Sequence, residues 1–516
     1  MTQPDALTAL DPLRAIALHG RHRATKPALV DQFGTTSYGE LWDQVERIKR
    51  WLQSAGVGRG HRVATAMEPS TVYAAVVLAV LDCGATVAPV NTRLSAPEVA
   101  AFLGPLEPSV AIVEDSMAWM AGDDIPTIAG SARGRGSSLT TWVDGIVKST
   151  PRPGRSACAG VTDTALILGT GGTTGLPKAA CFSGAALALW CTHAASAQRL
   201  HSDDVELFAS PFFHGTLITS LLSVLTIGAT VVIVTRPSDP DHEDLLRDTS
   251  VTRVGGAPQL ISRLAAGTLA DARQRSGIRI VQYGTTSASE EFVSGLAALF
   301  PNAQAITGYG STEFGPVTRL YGKECASPTR GVGRPIQHVE MAVLTKDGAT
   351  IEPGAEGELL VRAPWQMHSY WNNQRATSAA FHDRYIRSGD LATFDADGYV
   401  HLRGRIKDII ISGGENVFPA EVEAVLGRHP SIDDVAVYGM DDSEWGERIE
   451  AAVVPTPGAA FSVEALRTFA RGELAGYKIP KTIRVVDEIP LTANLKVDRH
   501  ALRRSALEHA EGIDGS

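Results

Sequence analysis

"GTGGTTGLPK", residues 169–178, sets four glycines and three threonines ahead of one Pro-Lys pair. Glycines let backbone N–H groups approach a bulky anion, and threonine hydroxyls add donors, so a polyphosphate is the expected occupant. Two familiar phosphate loops do not fit. A Walker loop needs Lys straight after its last Gly, and here Gly175 is followed by Leu176. A dinucleotide loop needs Gly at 169, 171 and 174, and position 174 is Thr. On composition alone, a flexible surface loop is the plain alternative. What precedes the stretch decides the fold: "TALILG" (164–169) reads as a buried strand, so the loop begins where a strand ends.

Working outward, "RVATAM" (62–67), "TVVIVT" (230–235) and "RIVQYG" (279–284) read as further buried strands. Helical patterns lie between them. In residues 38–56, Leu41, Val45, Ile48 and Leu52 recur at helical spacing and Gly56 supplies a stop. This alternation predicts a large α/β region with mainly parallel sheet. "GSARGRGSS" (130–138) reads as an exposed linker or loop. After about residue 400 the texture changes. "FPAEVEAVLGRHP" (418–430) is a helix with Pro near its start, and "DDVAVYGM", "IEAAVVP" and "TIRVVDEIP" are strands around a second helix, "SVEALRTFARGELA". That is a small α+β unit, with the charged stretch Arg403–Asp408 as its boundary.

The whole chain excludes several classes. At 516 residues it exceeds one hydrophobic core, so two or more domains are expected. A net charge of −10 argues against a nucleic-acid partner, which needs basic stripes. The longest apolar stretch, 72–90, is broken by Asp82 and Gly84, so no integral membrane segment is expected. The opening residues lack a basic region followed by an apolar core, which reads as no export signal. Five cysteines (83, 158, 181, 191, 325) without CxxC spacing favour a reduced, cytoplasmic protein and speak against structural zinc. A homodimer is left open.

The motifs together resemble the adenylate-forming superfamily, which comprises acyl- and aryl-CoA synthetases, nonribosomal adenylation domains and beetle luciferases. "TGGTTGLPK" (170–178) is similar to its phosphate loop, "SPFFHG" (210–215) to its aromatic-His segment and "GYGSTEFG" (308–315) to its Tyr-Gly-x-Thr-Glu motif. Residues 387–423 match the core from the ribose-binding Asp through the hinge, and "PLTANLKVDR" (490–499) resembles the catalytic-lysine motif. The matches run in family order from about residue 25 to the end. The resemblance implies a large N-terminal AMP-binding domain (1–406) and a small mobile C-terminal α+β domain (407–516) joined by a hinge.

What the resemblance implies chemically is joining of a carboxylic acid to AMP, then transfer of the acyl group to CoA. A carboxylate must approach a negative α-phosphate, and cations offset that repulsion. Lys496 takes this role, with Mg²⁺ held near Glu313. Alone, Lys496 would read as a solvated lysine and Glu313 as a capping carboxylate beside Ser311 and Thr312. Thr170, Gly171, Gly172, Thr173, Thr174 and Gly175 cradle the ATP phosphates, and Lys178 steadies them. Gly284, Thr285 and Thr286, in "YGTTS" (283–287), match the adenine segment. Tyr309, followed by Gly310, Ser311 and Thr312, flanks the base, although Tyr283 and Tyr309 also read as core packing. Asp390 suits the ribose hydroxyls and Arg405 a ribose or phosphate contact, or a boundary salt bridge. Gly171 departs from the family's usual Ser, losing a donor.

The acid is expected to lack an α-amine, because Phe213 is followed by His214 where amino-acid-activating relatives place Asp. His214 gates or orients the carboxylate, or is a structural histidine. Gly308, Gly310, Gly315 and Pro316 line the acid's space, and Trp190 caps it or packs the core. For transfer, Lys407 sits at the hinge. Gly413 and Gly414 border a thiol channel, Trp445 packs on a pantetheine arm, and Lys478 and Lys481 meet acceptor phosphates. Ile479 stands where some CoA ligases carry a basic residue, and Leu495 replaces a common Gly. The first reading is therefore an acid–CoA ligase. A second is an adenylating ligase whose acceptor is not CoA: an amine, a carrier protein, or a small inorganic acid activated for attack by an amine. A third, a catalytically silent binding protein, is disfavoured by the presence of Lys496, Glu313 and Asp390.

Overall fold

The helix Tyr38–Ser54 (α1) begins where Ser37 accepts the Glu40 N–H and the Glu40 carboxylate accepts the Ser37 N–H at 2.8 Å. This reciprocal cap satisfies two donors that a helix start otherwise strands. Leu41, Val45, Ile48 and Leu52 are fully buried, so the stripe read from the sequence faces the core. The apolar stretch 72–90 divides in two. Thr71–Asp82 (α2) is a helix buried at every position through Val80, and Thr86–Pro89 is a strand. The helix is apolar all round because it is enclosed. Among the described residues no helix is long and apolar enough to cross a membrane.

The computed structural model describes residues 10–122, 125, 127–130, 144, 164–170, 177–235, 245–246, 249–267, 269–284, 288, 290–492 and 496–514. By packing, the chain forms two units, Met1–Glu340 with Val361–Ile386 and Met341–Leu360 with Arg387–Ser516. The boundary expected at 406/407 concerns where the chain bends rather than which strands pack together, and stays a proposal. The linker expected at 130–138 lies, after Gly130, outside the described residues.

In the first unit a seven-stranded sheet has the order Ser369–Tyr370, Lys178–Ser183 (β2), Thr164–Thr170 (β1), Thr86–Pro89, Arg62–Ala66, Val110–Glu114, Thr127–Gly130. Every pair from β1 to Thr127–Gly130 is parallel. The two pairs made by β2 are antiparallel. A nine-stranded sheet carries the parallel run Gln304–Thr307, Ile280–Tyr283, Arg253–Gly256, Val205–Phe208, Thr230–Ile233 and Pro27–Asp31 at its centre. Mainly parallel sheets covered on both faces explain the continuous Val, Ile and Leu runs.

The second unit holds a sheet of Glu340–Thr345, Gly348–Thr350, Glu356–Arg362, Tyr385–Phe394 (β3) and Val400–Arg405 (β4). Beside these in the chain, Ile432–Asp442 (β5) and Gly446–Pro455 (β6) form a long antiparallel hairpin, and Thr482–Val485 pairs parallel with β6. Pro419–Leu426 (α3), Val463–Glu473 and Arg499–Asp514 (α4) are its principal helices. Glu450 is fully buried in β6, and its carboxylate is shared by Arg448 at 2.9 Å, Arg484 at 3.2 Å and the Tyr438 hydroxyl at 3.3 Å. A buried charge so completely paired is tolerated, and its removal strands the arginines.

Candidate active site

The glycine-rich stretch connects two strands that pair antiparallel. β1 and β2 are in register at Thr170↔Lys178, so the two ends of the loop face each other across one rung. Gly171, Gly172, Thr173, Thr174 and Gly175 lie outside the described residues. Their anchors are well defined. Thr170 is buried, and the Lys178 ammonium lies 5.2 Å from the centre of the Tyr370 ring. Tyr370 comes from the strand that pairs with β2, at register Tyr370↔Ala180.

The Tyr370 hydroxyl donates to Glu313 Oε1 at 2.9 Å and also meets the Thr170 side chain. Burial pushes this hydroxyl well above the ordinary tyrosine range, and the nearby Glu313 charge pushes the same way. Tyr370 is therefore a neutral donor at pH 7, and Glu313 the acceptor. The cluster joins the anchors of the expected phosphate loop to the expected metal residue. Tyr370 belongs to no motif read from the sequence, and it meets Glu313 across 57 residues.

Glu313 sits at the tip of a small hairpin, Gly310–Ser311 against Gly315–Pro316, rather than at a helix start. Its N–H donates to Ser311 Oγ at 3.1 Å, and its carbonyl accepts the Met367 N–H at 2.8 Å. The tip carries Thr312. A Cβ at Gly310 would lie 2.4 Å from the Gly315 carbonyl oxygen, so the strands close only around a glycine. Tyr309 is half-buried, with its N–H on Thr318 Oγ1 at 2.9 Å and its ring 5.8 Å from Phe314. Tyr283, by contrast, is 5% exposed and packs against Phe292, which is core packing. Gly284 borders open space, since a Cβ there would meet nothing within 4 Å. Thr285 and Thr286 lie outside the described residues.

Among the described residues no group of three or more His, Cys, Asp or Glu is arranged to hold a metal. The residues fit Mg²⁺ in its usual habit, one carboxylate from Glu313 with the remaining ligands from phosphate and water. His214 is half-buried against Phe213, ring centres 4.6 Å apart, just before a π-helical segment, Leu217–Leu222. Gly215, after it, abuts Trp190 from the helix Gly184–Ala197.

In the second unit Asp390 and Arg405 are paired residues of β3 and β4, and Arg405 Nε donates to Asp390 Oδ1 at 2.7 Å. Asp390 is 4% exposed, so the expected ribose carboxylate is already oriented by the guanidinium beside it. Lys407 follows in a single helical turn, Ile406–Asp408. Burial holds its ammonium below the ordinary lysine range, while Asp408 pulls the other way. Arg499, three residues after Lys496, donates to the Val437 carbonyl at 2.9 Å and to Glu423 Oε1 at 2.6 Å. It also lies 3.7 Å from Asp408. One arginine thus ties the lysine-bearing arm to α3 and to the turn carrying Lys407, a link that sequence spacing did not reveal.

Lys496 is exposed, and its carbonyl accepts the Thr492 N–H at 2.7 Å. Gly413 and Gly414 have φ of +59° and +84°, conformations that favour glycine. A Cβ at Gly413 would sit 2.8 Å from the Trp445 ring, and the Lys481 ammonium lies 4.6 Å from the centre of that ring. Lys478 is taken by Glu421 at 2.6 Å. Ile479 is 9% exposed and packs in the core, so that position presents no charge.

Residues 17–371 match the AMP-binding enzyme family, and residues 421–496 match the AMP-binding enzyme C-terminal domain. Indoleacetate–CoA ligase of Aromatoleum aromaticum is 32% identical over 91% of this chain and 92% of its own length. Among solved structures, o-succinylbenzoate CoA synthetase of Bacillus subtilis, bound to its acyl-adenylate intermediate, aligns with TM-score 0.82 and 25% identity over 95% of this chain and 97% of that one. An amide bond synthetase of Marinactinospora thermotolerans aligns with TM-score 0.81 and 27% identity, covering 96% and 99%. With both family regions matched in order and the expected anchors gathered around Tyr370 and Glu313, the chain belongs to the family of adenylate-forming, AMP-binding enzymes.

Proposed function

We propose that this chain is an acid–CoA ligase working in two steps. A carboxylate oxygen of the acid attacks the α-phosphorus of ATP, and pyrophosphate leaves. The thiol sulfur of CoA then attacks the acyl carbon, AMP leaves, and the thiol proton passes to solvent. The observation that carries this reading is the Thr170–Lys178–Tyr370–Glu313 cluster at the base of the glycine-rich hairpin. It supplies a cation, a neutral donor and a carboxylate where a triphosphate and its Mg²⁺ would be gripped.

In this scheme Gly171–Gly175 cradle the phosphates and Gly284–Thr286 with Tyr309–Thr312 hold the adenine. Asp390 and Arg405 take the ribose, His214 orients the acid, and Lys496 offsets the charge that builds as carboxylate meets phosphate. Lys407 is the pivot between domains 1–406 and 407–516, and Gly413, Gly414 and Trp445 shape the path of the pantetheine arm. The proposed location is the cytoplasm. Acid-dependent exchange of labelled pyrophosphate into ATP is the test of the first step. Exchange that appears only when an acid is supplied supports it, and its absence with a broad acid panel refutes it.

A second reading keeps the adenylate and changes the acceptor to an amine or a carrier protein. The buried Ile479 and the Glu421-bound Lys478 favour it, because both withhold positive charge from CoA's phosphates. The similarity to an amide bond synthetase points the same way.

A further inference from the structure

Trp190 is 1% exposed, and its indole Nε1 has no hydrogen-bond partner among the described residues. A buried donor without an acceptor is costly, and native cores rarely keep one. The Trp365 indole is likewise buried with no partner for its Nε1 among the described residues, so it is the position of Trp190, beside the His214 segment and the Glu313 hairpin, that singles it out. The indole edge is given room by two glycines from separate segments. A Cβ at Gly315 would lie 2.7 Å from Cζ2 and 2.9 Å from Cε2, the carbon that bears Nε1. A Cβ at Gly215 would lie 3.4 Å from Cζ2. The ring therefore reaches between the His214 segment and the Glu313 hairpin. Its aromatic neighbour is Phe182, edge-to-face at 5.6 Å, and among the described residues no cationic side chain stacks on it.

We infer that the Trp190 N–H is a specificity donor of the acid site, and that the acid it selects carries a neutral oxygen acceptor, a ketone or an ether, away from the reacting carboxylate. The inference rests on the adenylation reading above. A neutral oxygen accepts the N–H without the desolvation cost that a second carboxylate would carry at a buried site. A site built around a buried donor discriminates strongly against an analogue that lacks the acceptor, because the donor is then left unpaired.

The experiment is acid-dependent pyrophosphate exchange with matched arylalkanoic acids, each bearing a ketone or ether oxygen and paired with its methylene counterpart. In the parent enzyme at least one pair shows kcat/KM higher for the oxygenated member by roughly tenfold or more. Trp190→Phe, which keeps a ring and removes the N–H, brings that ratio close to one. Equal rates across every pair in the parent overturn the inference even if the variant fails to fold. So does a ratio preserved in Trp190→Phe, or a uniform slowing of all acids, which would mean that the indole holds the reacting carboxylate. Exchange with none of the acids would instead refute adenylation itself, and the inference with it.

Discussion

The two halves of the proposed chemistry are held in different ways. In the first unit, Thr170, Lys178, Tyr370 and Glu313 are placed by strand register, and their central contact is a buried neutral hydroxyl on a carboxylate. In the second unit, Asp390–Arg405 joins a buried carboxylate to a part-exposed guanidinium, the contacts of Arg499 with Glu423 and Asp408 are half-buried ion pairs, and Lys496 is exposed. Strand register cannot be exchanged without unfolding a sheet. Ion pairs with one side open to solvent are held less rigidly than a ladder of strand hydrogen bonds. We propose that the first set is the cradle for the nucleotide and that the second carries the arm with Lys496.

The most damaging substitution should therefore fall on the arm and affect one step. Lys496→Ala is expected to slow adenylation by about 10²–10³, the usual cost of losing one preorganised charge at a transition state. Thioester formation from ready-made acyl-adenylate should survive. Equal loss in both half-reactions, measured separately, would erase the distinction between cradle and arm. Lys407→Pro should do the reverse, by fixing the φ of the proposed pivot. Adenylation continues while single-turnover transfer falls by about 10², the penalty of misplaced reacting groups. Transfer at the parent rate would show that the chain does not bend there.

In the cradle, Tyr370→Phe removes the donor to Glu313 and keeps the ring under Lys178. A hydrogen bond to a charged group contributes about 1.5–3 kcal/mol, so kcat/KM for ATP should drop by roughly ten- to a hundredfold. The same variant tests the electrostatics. Burial raises the Tyr370 hydroxyl above the value near 10 expected in an unfolded chain. Its contribution is complete below about pH 10 and is lost as pH rises further, because the unfolded chain ionises first. Denaturant titrations should show a shallower alkaline loss of stability in Tyr370→Phe than in the parent. The smallest effect is expected at Gly171→Ser, where one added hydroxyl should tighten ATP binding by about 0.5–1.5 kcal/mol. Weaker binding would mean that the backbone needs glycine there.

Much of this architecture was legible because it is periodic. The stripe Leu41, Val45, Ile48, Leu52 and the strand runs read at 62–67 and 164–169 carry their own spacing, and the structure has a helix at Tyr38–Ser54 and strands at Arg62–Ala66 and Thr164–Thr170. The apolar stretch 72–90 was harder, since a helix enclosed on all sides has no polar face to show its period. Long-range pairings left no trace. Nothing local marks Tyr370 as the partner of Glu313, or Arg499 as the tie to Asp408. The packing of Met341–Leu360 with the C-terminal unit was also silent, because its strands resemble any others. From sequence Trp190 reads either as a cap on the acid's space or as core packing, and the lack of a partner for its N–H among the described residues shows only in the structure.

The central claim, that the adenylate made in the cradle is delivered to CoA, is tested most directly by supplying the parent enzyme with ATP, Mg²⁺, an activated acid, CoA and a panel of amines together. Products are then identified by mass spectrometry. The account predicts acyl-CoA in proportion to AMP released, with the amines left unmodified. An amide product with CoA untouched would contradict it, and would make the buried Ile479 and the Glu421-bound Lys478 the better guides to the acceptor.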